Sequence, residues 1–297
     1  MRNIKFIVNP ISGDGKGKNA ALQIENYFKN KKTNYSIDLI PHPGKISFLV
    51  KNAVNEGYDI IVAVGGDGTI NGVVNEVFGE NVLFGIIPVG FGNDFARHLR
   101  IPKNISKACK IIENANTIPI DVGKIKSRGA NDKYFINSVG FGFDGLVLHD
   151  AEKSRGKAHS LVRYIVSILK TIRLFKSIKL KIMLDKTYEI DTDTLMIVIG
   201  NSAYEAGGFK VTPNAKLDDG LLDICILKKM SKFQFLIHMP KAFYGNHMDS
   251  SLVMTYQAKT IDIFSDSVLY GHIDGEKIQS THYNIKVIPK ILQLIVP

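Results

Sequence analysis

The segment Asp59-Ile-Ile-Val-Ala-Val-Gly-Gly-Asp-Gly-Thr-Ile-Asn limits the folds open to this chain more than any other stretch. Its apolar run is strand-like and of the fully buried kind. It ends at Gly65 and Gly66 and passes through Asp67 and Gly68 into a helical pattern at Thr69. Similar β-rich runs occur at Asn3 to Val8, Tyr35 to Ile40 and Phe84 to Ile87, with longer amphipathic stretches between them. Strands alternating with helices predict a parallel sheet covered on both faces. Such sheets take ligands beyond the carboxyl ends of their strands, where three of these runs meet a glycine-bearing loop.

From about Ile118 the texture changes. Closely spaced β-rich runs follow at Lys133 to Val139, Ile178 to Leu184, Leu195 to Gly200, Leu221 to Leu227, Ala258 to Phe264 and Tyr283 to Ile288. Helical patterns interrupt them at Ser160 to Phe175 and Lys232 to Tyr244. The expected fold class is therefore α/β, an N-terminal parallel-sheet domain followed by a C-terminal antiparallel β-sandwich. The domains are placed at residues 1–121 and 122–289, with residues 290–297 available to rejoin the first. With 297 residues, 45% of them hydrophobic, the chain can bury two cores.

The formal charge of +10 suits a polyphosphate, an anionic membrane surface or nucleic acid. Nucleic acid is set aside, because the lysines form no basic arm and no recognition motif accompanies them. No apolar stretch approaches the roughly 20 residues of a membrane span, and Met1-Arg2-Asn3 leads into a strand pattern rather than a leader, so a cytoplasmic protein is expected. Cys109 and Cys225 have neither metal-knuckle nor disulfide spacing and are expected to be reduced core residues.

The turn after Val64 can offer backbone amides and the positive end of a helix to a phosphate. A carboxylate at Asp67 would repel that phosphate unless a metal, a metal-bound water or another donor stood between them. Equally, Asp67 and Thr69 can simply cap the helix. Common nucleotide fingerprints do not fit. Ser12-Gly13-Asp14-Gly15-Lys16-Gly17-Lys18-Asn19 is one residue short of a P-loop between Gly13 and Gly17, and carries Asn19 where a metal-binding hydroxyl belongs. Nor does the glycine spacing of a dinucleotide fold follow Gly66-Asp67-Gly68.

Taken together, several blocks resemble the diacylglycerol kinase catalytic domain, above all the bacterial lipid kinases in which a β-sandwich follows it. They are Asn9-Pro10-Ile11-Ser12-Gly13, Gly65-Gly66-Asp67-Gly68-Thr69-Ile70-Asn71 and Pro88-Val89-Gly90-Phe91-Gly92-Asn93-Asp94-Phe95-Ala96-Arg97. Later come Asp121-Val122-Gly123, Gly207-Gly208-Phe209, Asn214-Ala215-Lys216-Leu217-Asp218-Asp219-Gly220-Leu221 and Asp274-Gly275-Glu276. The double-glycine block is shared with NAD and sphingosine kinases, whereas the Asn93 and Asp219 blocks in this order are narrower.

The resemblance implies a Mg-dependent transfer of the γ-phosphoryl group of ATP to the hydroxyl of diacylglycerol or a related membrane lipid. It makes residues 1–121 the nucleotide-binding domain. Asn9, Pro10, Ile11, Ser12 and Gly13 become one ATP loop, and Gly66, Asp67, Gly68, Thr69, Ile70, Asn71 and Gly72 the other. Asn93 and Asp94 shape the nucleotide side, although Asp94 also reads as a helix cap. Asp67 is the key acid and Glu276 the general base that takes the lipid hydroxyl proton. Asp121 joins a magnesium–water network, and Lys216, Asp219 and Leu221 hold a structural Mg2+ through main-chain carbonyls and the Asp219 carboxylate. Judged locally, Asp121 is a strand-end turn residue, and Asp219 and Glu276 lie in hairpin turns.

Phe91 departs from the pattern, since many relatives carry threonine there, and a phenyl ring can only pack or stack. Two other readings stay open: a kinase of soluble substrates of the NAD kinase kind, and a nucleotide or lipid sensor without turnover. In the Ser160 to Phe175 pattern, Arg163, Lys170 and Arg173 fall on one face beside apolar residues. That arrangement suits either a packed helix with solvated charges or peripheral docking on an anionic membrane. A homodimer is compatible with the sequence, which does not fix the oligomeric state.

Overall fold

The computed structural model describes residues 2–127, 131–153, 171 and 176–297. The pattern at Ser160 to Phe175, with Arg163, Lys170 and Arg173, lies outside the described residues apart from Thr171. The chain divides into two compact units, residues 1–122 with 289–297, and residues 123–288.

In the first unit, strands β1 (Asn3–Val8), β2 (Asn34–Leu39), β3 (Ile60–Gly65) and β4 (Leu83–Pro88) alternate with helices. These are α1 (Ser12–Phe28), α2 (Ile46–Asn55), α3 (Asp67–Val77), α4 (Asp94–His98) and α5 (Ile105–Asn114). β1 pairs in parallel with β2 and β3, and β3 with β4. The carboxyl end of the long strand Glu276–Ile295 adds to β4, also in parallel, through Gln293 and Leu294. The strand order is thus β2-β1-β3-β4 and then the C-terminal strand. Every residue of β3 is buried, which requires cover on both sheet faces and explains why its sequence is continuously apolar rather than alternating. α1 packs beside α5, and α2 beside α3. The order reverses direction between β1 and β3, so the loops after these two strands open at a topological switch point.

The second unit takes up strand β5 (Thr117–Ser127) beyond Val122, then holds β6 (Lys133–Phe135), β7 (Ser138–Gly142), helix α6 (Phe143–Lys153), β8 (Ile178–Leu184), β9 (Tyr188–Gly200) and β10 (Leu222–Lys228). Helix α7 (Lys232–His238) and strands β11 (Val253–Ala258), β12 (Thr260–Ile273) and β13 (Glu276–Ile295) complete it. Its pairings are antiparallel: β11 with β10, β10 with β9, and β12 with β13. β9 and β12 each pair with β8 along one half and with β7 along the other. A register shift between Phe264 and Leu269 lets β12 serve both neighbours. Alternate side chains of these strands enclose one core, in which Phe141 and Tyr283 lie ring to ring at 4.5 Å and the Tyr283 hydroxyl donates to the Leu269 carbonyl at 3.2 Å.

Three elements differ from the sequence expectation. β11 is an added strand, poorly marked because its outer residues mix Thr255, Tyr256 and Gln257 with half-exposed Val253 and Met254. α6 follows β7 directly, where the sequence pattern placed no element after Val139. The pattern at Lys232 to Tyr244 is α-helical only to His238. There Pro240, which cannot donate an amide proton, turns the chain into a 3-10 segment over Met239–Phe243. Among the described residues no helix is long and apolar enough to cross a membrane. Cys109 and Cys225 are buried and unbridged, and burial pushes both thiols up to about 12.

The turn joining β12 to β13 is held by Asp274, in the left-handed region at φ 45°. Its carboxylate accepts the amides of Ile136 at 3.0 Å, Asn137 at 3.0 Å and Ser138 at 2.8 Å. These are charge-assisted bonds to buried donors, so Asp274→Ala should destabilise the protein by about 3 kcal/mol, and Asp274→Asn by less, in urea unfolding. An unchanged midpoint for Asp274→Ala would show that the carboxylate does not organise this turn.

Candidate active site

Three loops converge at the switch point of the first unit: residues 9–13 after β1, 65–69 after β3, and 89–93 after β4. Backbone bonds stitch them together. The Asn9 amide donates to Val64 O at 2.9 Å, and the Val89 and Gly90 amides donate to Gly65 O at 2.8 and 3.2 Å. Gly66 and Gly90 touch through their backbones, and a side-chain carbon on Gly66 would lie 3.1 Å from the Gly90 Cα. Gly13 takes φ 61° at the mouth of α1, with the Val89 carbonyl where a Cβ would stand. Asp14 and Gly15 continue in left-handed conformations, so α1 becomes regular only beyond them. The Asn9 side chain ties the first loop to the second, donating to Thr69 Oγ1 at 2.9 Å and accepting from the Ile11 amide at 3.2 Å.

Asp67 opens α3. Its carboxylate Oδ1 accepts the Phe95 amide at 3.3 Å, and the amides of Asp94 and Asn93 also point to it. Burial pushes its pKa up, against the pull of these amides. The other donor that a carboxylate needs at this turn is therefore the amino end of α4. Asp67 caps a helix, but the helix is α4 rather than its own. Asn93, in the left-handed region at φ 50°, donates to Gly90 O at 2.6 Å, while its Oδ1 is buried without a hydrogen-bond partner among the described residues. Phe91 and Ile11, 60% and 71% exposed, present apolar surface on the rim of the same loops.

The structure brings together Asn9, Pro10, Ile11, Ser12, Gly13, Gly66, Asp67, Gly68, Thr69, Phe91 and Asn93. Ile70 and Asn71 are buried in α3, where Asn75 donates to Asn71, so they support the loop from behind. Asp121 is fully buried and accepts the Lys290 amide at 2.8 Å, fixing the returning chain at the edge of the first unit. In the second unit Glu276 is exposed and forms an ion pair with Lys133 at 3.3 Å. The exposed Asp219 accepts the Leu221 amide at 3.0 Å, which closes the turn and engages one carboxylate oxygen. An Asp219 carboxylate with the carbonyls of Lys216 and Leu221 is an all-oxygen donor set of the kind hard cations take.

Sequence reasoning missed a buried trio in the second unit. His272 Nε2 lies 2.5 Å from Asp144 Oδ2 and 2.6 Å from Glu205 Oε1. Gly140 makes room for it, since any side-chain carbon there would collide with both Asp144 and His272. These residues have the spacing of a metal triad. However, a metal-bound histidine normally donates from its second nitrogen, and here Nδ1 faces the Gly275 amide at 3.4 Å. A shared proton fits better. Burial and the neighbouring Asp144 push Glu205 up to about 8. Burial disfavours charge on His272, but the two carboxylates outweigh it and hold its pKa well above the usual imidazole range, and a charged ring gives up the long 3.4 Å bond that Nδ1 accepts from the Gly275 amide. The signal was faint because Asp144, Glu205 and His272 stand on three separate elements with no common motif.

Three glycine-bearing loops meet at the switch point of a parallel sheet in the first unit, and the second unit is an antiparallel β domain. Residues 3–125 match the diacylglycerol kinase catalytic domain, and residues 137–296 match the YegS C-terminal NAD kinase beta sandwich-like domain. A diacylglycerol kinase of Mycobacterium tuberculosis is 30% identical over 99% of this chain and 95% of its own length. One from Bacillus subtilis is 29% identical over 93% and 90%. The crystal structure of a candidate diacylglycerol kinase from Bacillus anthracis str. Sterne superposes with a TM-score of 0.78 at 25% identity, covering 100% of this chain and 97% of that one. Yeast NADH kinase shares the fold at a TM-score of 0.52 and 12% identity, over 100% of this chain and 84% of its own. The chain belongs to the diacylglycerol kinase family, and its relatives' names mark it as a kinase.

Two outcomes follow from the geometry. Gly90→Ala should weaken ATP binding at least tenfold in calorimetry, because the methyl group forces the Gly66 and Gly90 loops apart. Unaltered affinity would mean that the loops do not form the nucleotide cradle. Folded Glu205 keeps its proton to about 8, whereas the unfolded carboxyl releases it near 4.5, so the native state binds the extra proton and stability falls as pH rises through that window. His272, raised above 6.5, acts with the same sign at the upper end. Denaturant midpoints should therefore decline from about pH 4.5 to about pH 8, and Glu205→Gln should flatten the decline. A parallel decline in the variant would remove Glu205 from the account.

Proposed function

We propose that the protein transfers the γ-phosphoryl group of ATP to the hydroxyl of diacylglycerol or a related membrane lipid. The observation that carries this reading is the meeting of three glycine-bearing loops around Asp67 at the switch point of the sheet, in a chain related over nearly its full length to diacylglycerol kinases. In this reading the residue 9–13 and 66–72 loops wrap the phosphates, with main-chain N–H groups directed at developing negative charge. Asp67 holds the cradle open by anchoring α4, and Phe91 supplies a face for the nucleotide in place of a threonine hydroxyl. Phosphoryl transfer needs little covalent help from the protein, so positioning supplies most of the rate.

Glu276 is the proposed general base. It accepts the proton of the lipid hydroxyl as that oxygen bonds to the γ-phosphorus and the bond to ADP breaks. Its exposed carboxylate, steadied by Lys133, is available to an incoming hydroxyl. A Mg2+ ion bound with ATP would neutralise phosphate charge, with Asp121 assigned to its water network, and a separate structural Mg2+ held by Lys216, Asp219 and Leu221 would brace the second unit. The β-rich unit is assigned the acceptor lipid, consistent with its β-sandwich-like match.

The second reading, a kinase for a soluble substrate, is favoured by the shared fold of yeast NADH kinase and the NAD kinase beta sandwich-like match of residues 137–296. Incubating the protein with ATP, Mg2+ and either a bacterial lipid extract or NAD separates the two. Phosphorylated lipid is expected by mass spectrometry, and phosphorylated NAD alone would overturn the lipid reading. Asp67→Asn should abolish turnover and, because the carboxylate also holds the amino end of α4, lower the thermal midpoint modestly. Glu276→Gln should lower kcat roughly 10²-fold or more with ATP affinity nearly unchanged. Near-normal turnover in either variant would cancel the corresponding assignment.

A further inference from the structure

The second unit carries an apolar face that its described residues leave uncovered. Helix α7 exposes Phe233 (73%), Leu236 and Ile237, which at spacings of three and four lie on one side, and the following turn exposes Tyr244 (76%). This face is rigidly built. Ser231 and Gln234 form a capping box at the start of α7, Phe235 turns inward onto Phe143 at 4.8 Å, and Phe243 stacks on Phe209 at 3.8 Å. Rotating the helix to hide Phe233 would expose Phe235, so the fold cannot bury both.

Lysines flank the face, with Asp249 the exposed acid on the neighbouring 3-10 segment Asn246–Asp249. Lys232 and Lys241 stand on α7 and the turn after it, both exposed. Beside them opens a cavity of about 520 Å3 with Phe143, Leu195, Met230 and Phe235 among its apolar walls and Lys176, Lys179, Lys229 and Lys232 among its polar ones. Among the described residues Asp193 is the one acidic group lining it, and it is already paired with Lys229 at 3.0 Å.

We propose that this face of α7 and its lysine rim is the surface through which the protein docks on an anionic lipid bilayer. A short apolar face flanked by lysines lies in the headgroup region, with aromatic and aliphatic side chains among the upper acyl carbons and ammonium groups against phosphates. The overall +10 charge draws the protein to the same surface. A second copy of the chain is a poorer occupant, because a two-fold contact through this face would set the lysine rim against itself. The idea deepens the lipid-kinase reading by naming how the enzyme meets its acceptor, but docking is measured without ATP or turnover.

The chain contains no tryptophan, so a single introduced indole reports its own surroundings. Phe233→Trp is expected to give a blue-shifted, brighter emission with vesicles of phosphatidylglycerol and phosphatidylcholine at low salt, and no shift with phosphatidylcholine alone. Tyr188→Trp, at an exposed position on β9, should stay unchanged. The Phe233→Ser/Ile237→Ser and Lys232→Glu/Lys241→Glu pairs should each cut vesicle co-sedimentation about tenfold or more, with thermal midpoints near wild type. Co-sedimentation of Phe233→Trp without any change in its emission would move docking to another face, and no co-sedimentation of wild type would end the proposal. A blue shift produced by protein concentration alone, without vesicles, would assign the face to self-association instead. Turnover on detergent-dispersed lipid tests the kinase reading separately from all of these outcomes.

Discussion

Two backbones in contact, at Gly66 and Gly90, set the geometry on which the candidate active site depends. The loops after β3 and β4 can approach this closely only because neither residue carries a side chain, and the approach brings the amino end of α4 within reach of Asp67. A carboxylate in that position has its charge met by main-chain amides rather than by water. The loop after β1 joins the assembly through the same economy of volume, with Gly13 against the Val89 carbonyl and Asn9 bridging to Thr69. What results is a set of three loops tied to one another by backbone and side-chain hydrogen bonds. Groups tied in this way need little reorganisation when charge develops beside them.

Carboxylates serve as backbone anchors throughout the molecule. Asp67 holds α4, Asp121 holds the returning chain at Lys290, and Asp274 holds the segment before β7. Asp185 gathers the amides of Lys259 and Thr260 where β11 gives way to β12. In each case a charged acceptor satisfies donors that no regular ladder reaches, and the segment it holds could not be buried otherwise. Such residues are hard to distinguish from catalytic acids by sequence, because both need an Asp next to glycines in a tight turn. Asp274 and Glu276 illustrate this within one loop: the first is buried and spends its oxygens on amides, while the second stays at the surface with Lys133.

The second unit combines an interior polar cluster with an outward apolar face, the reverse of the usual placement. Asp144, Glu205 and His272 are buried together within hydrogen-bonding distance of one another, so their protonation is coupled to the integrity of the fold. At the surface, α7 keeps Phe233 in water because Phe235 fills the inner site. Both features carry a free-energy cost in the isolated protein, and a lipid surface relieves the second of them.

The alternation of strand and helix to Val89 and the denser strands beyond Ile118 were legible from periodicity, since both rest on local spacing of apolar residues. β11 and α6 were not, because a half-buried edge strand and a helix fused to a strand leave weak local patterns. The family motifs likewise marked the Asn9, Asp67 and Asn93 loops in advance, as each is contiguous in sequence. Sequence by itself therefore determined the class of fold, the three loops that the structure brings together at the switch point and the position of the charged residues within them. Only the tertiary structure decided that Asp67 caps α4 rather than its own helix, that Asp144, Glu205 and His272 form one buried cluster, and that α7 turns Phe233 outward. Those outcomes depend on contacts between residues far apart in the chain, and no local pattern encodes which distant group will fill a given volume or satisfy a given donor.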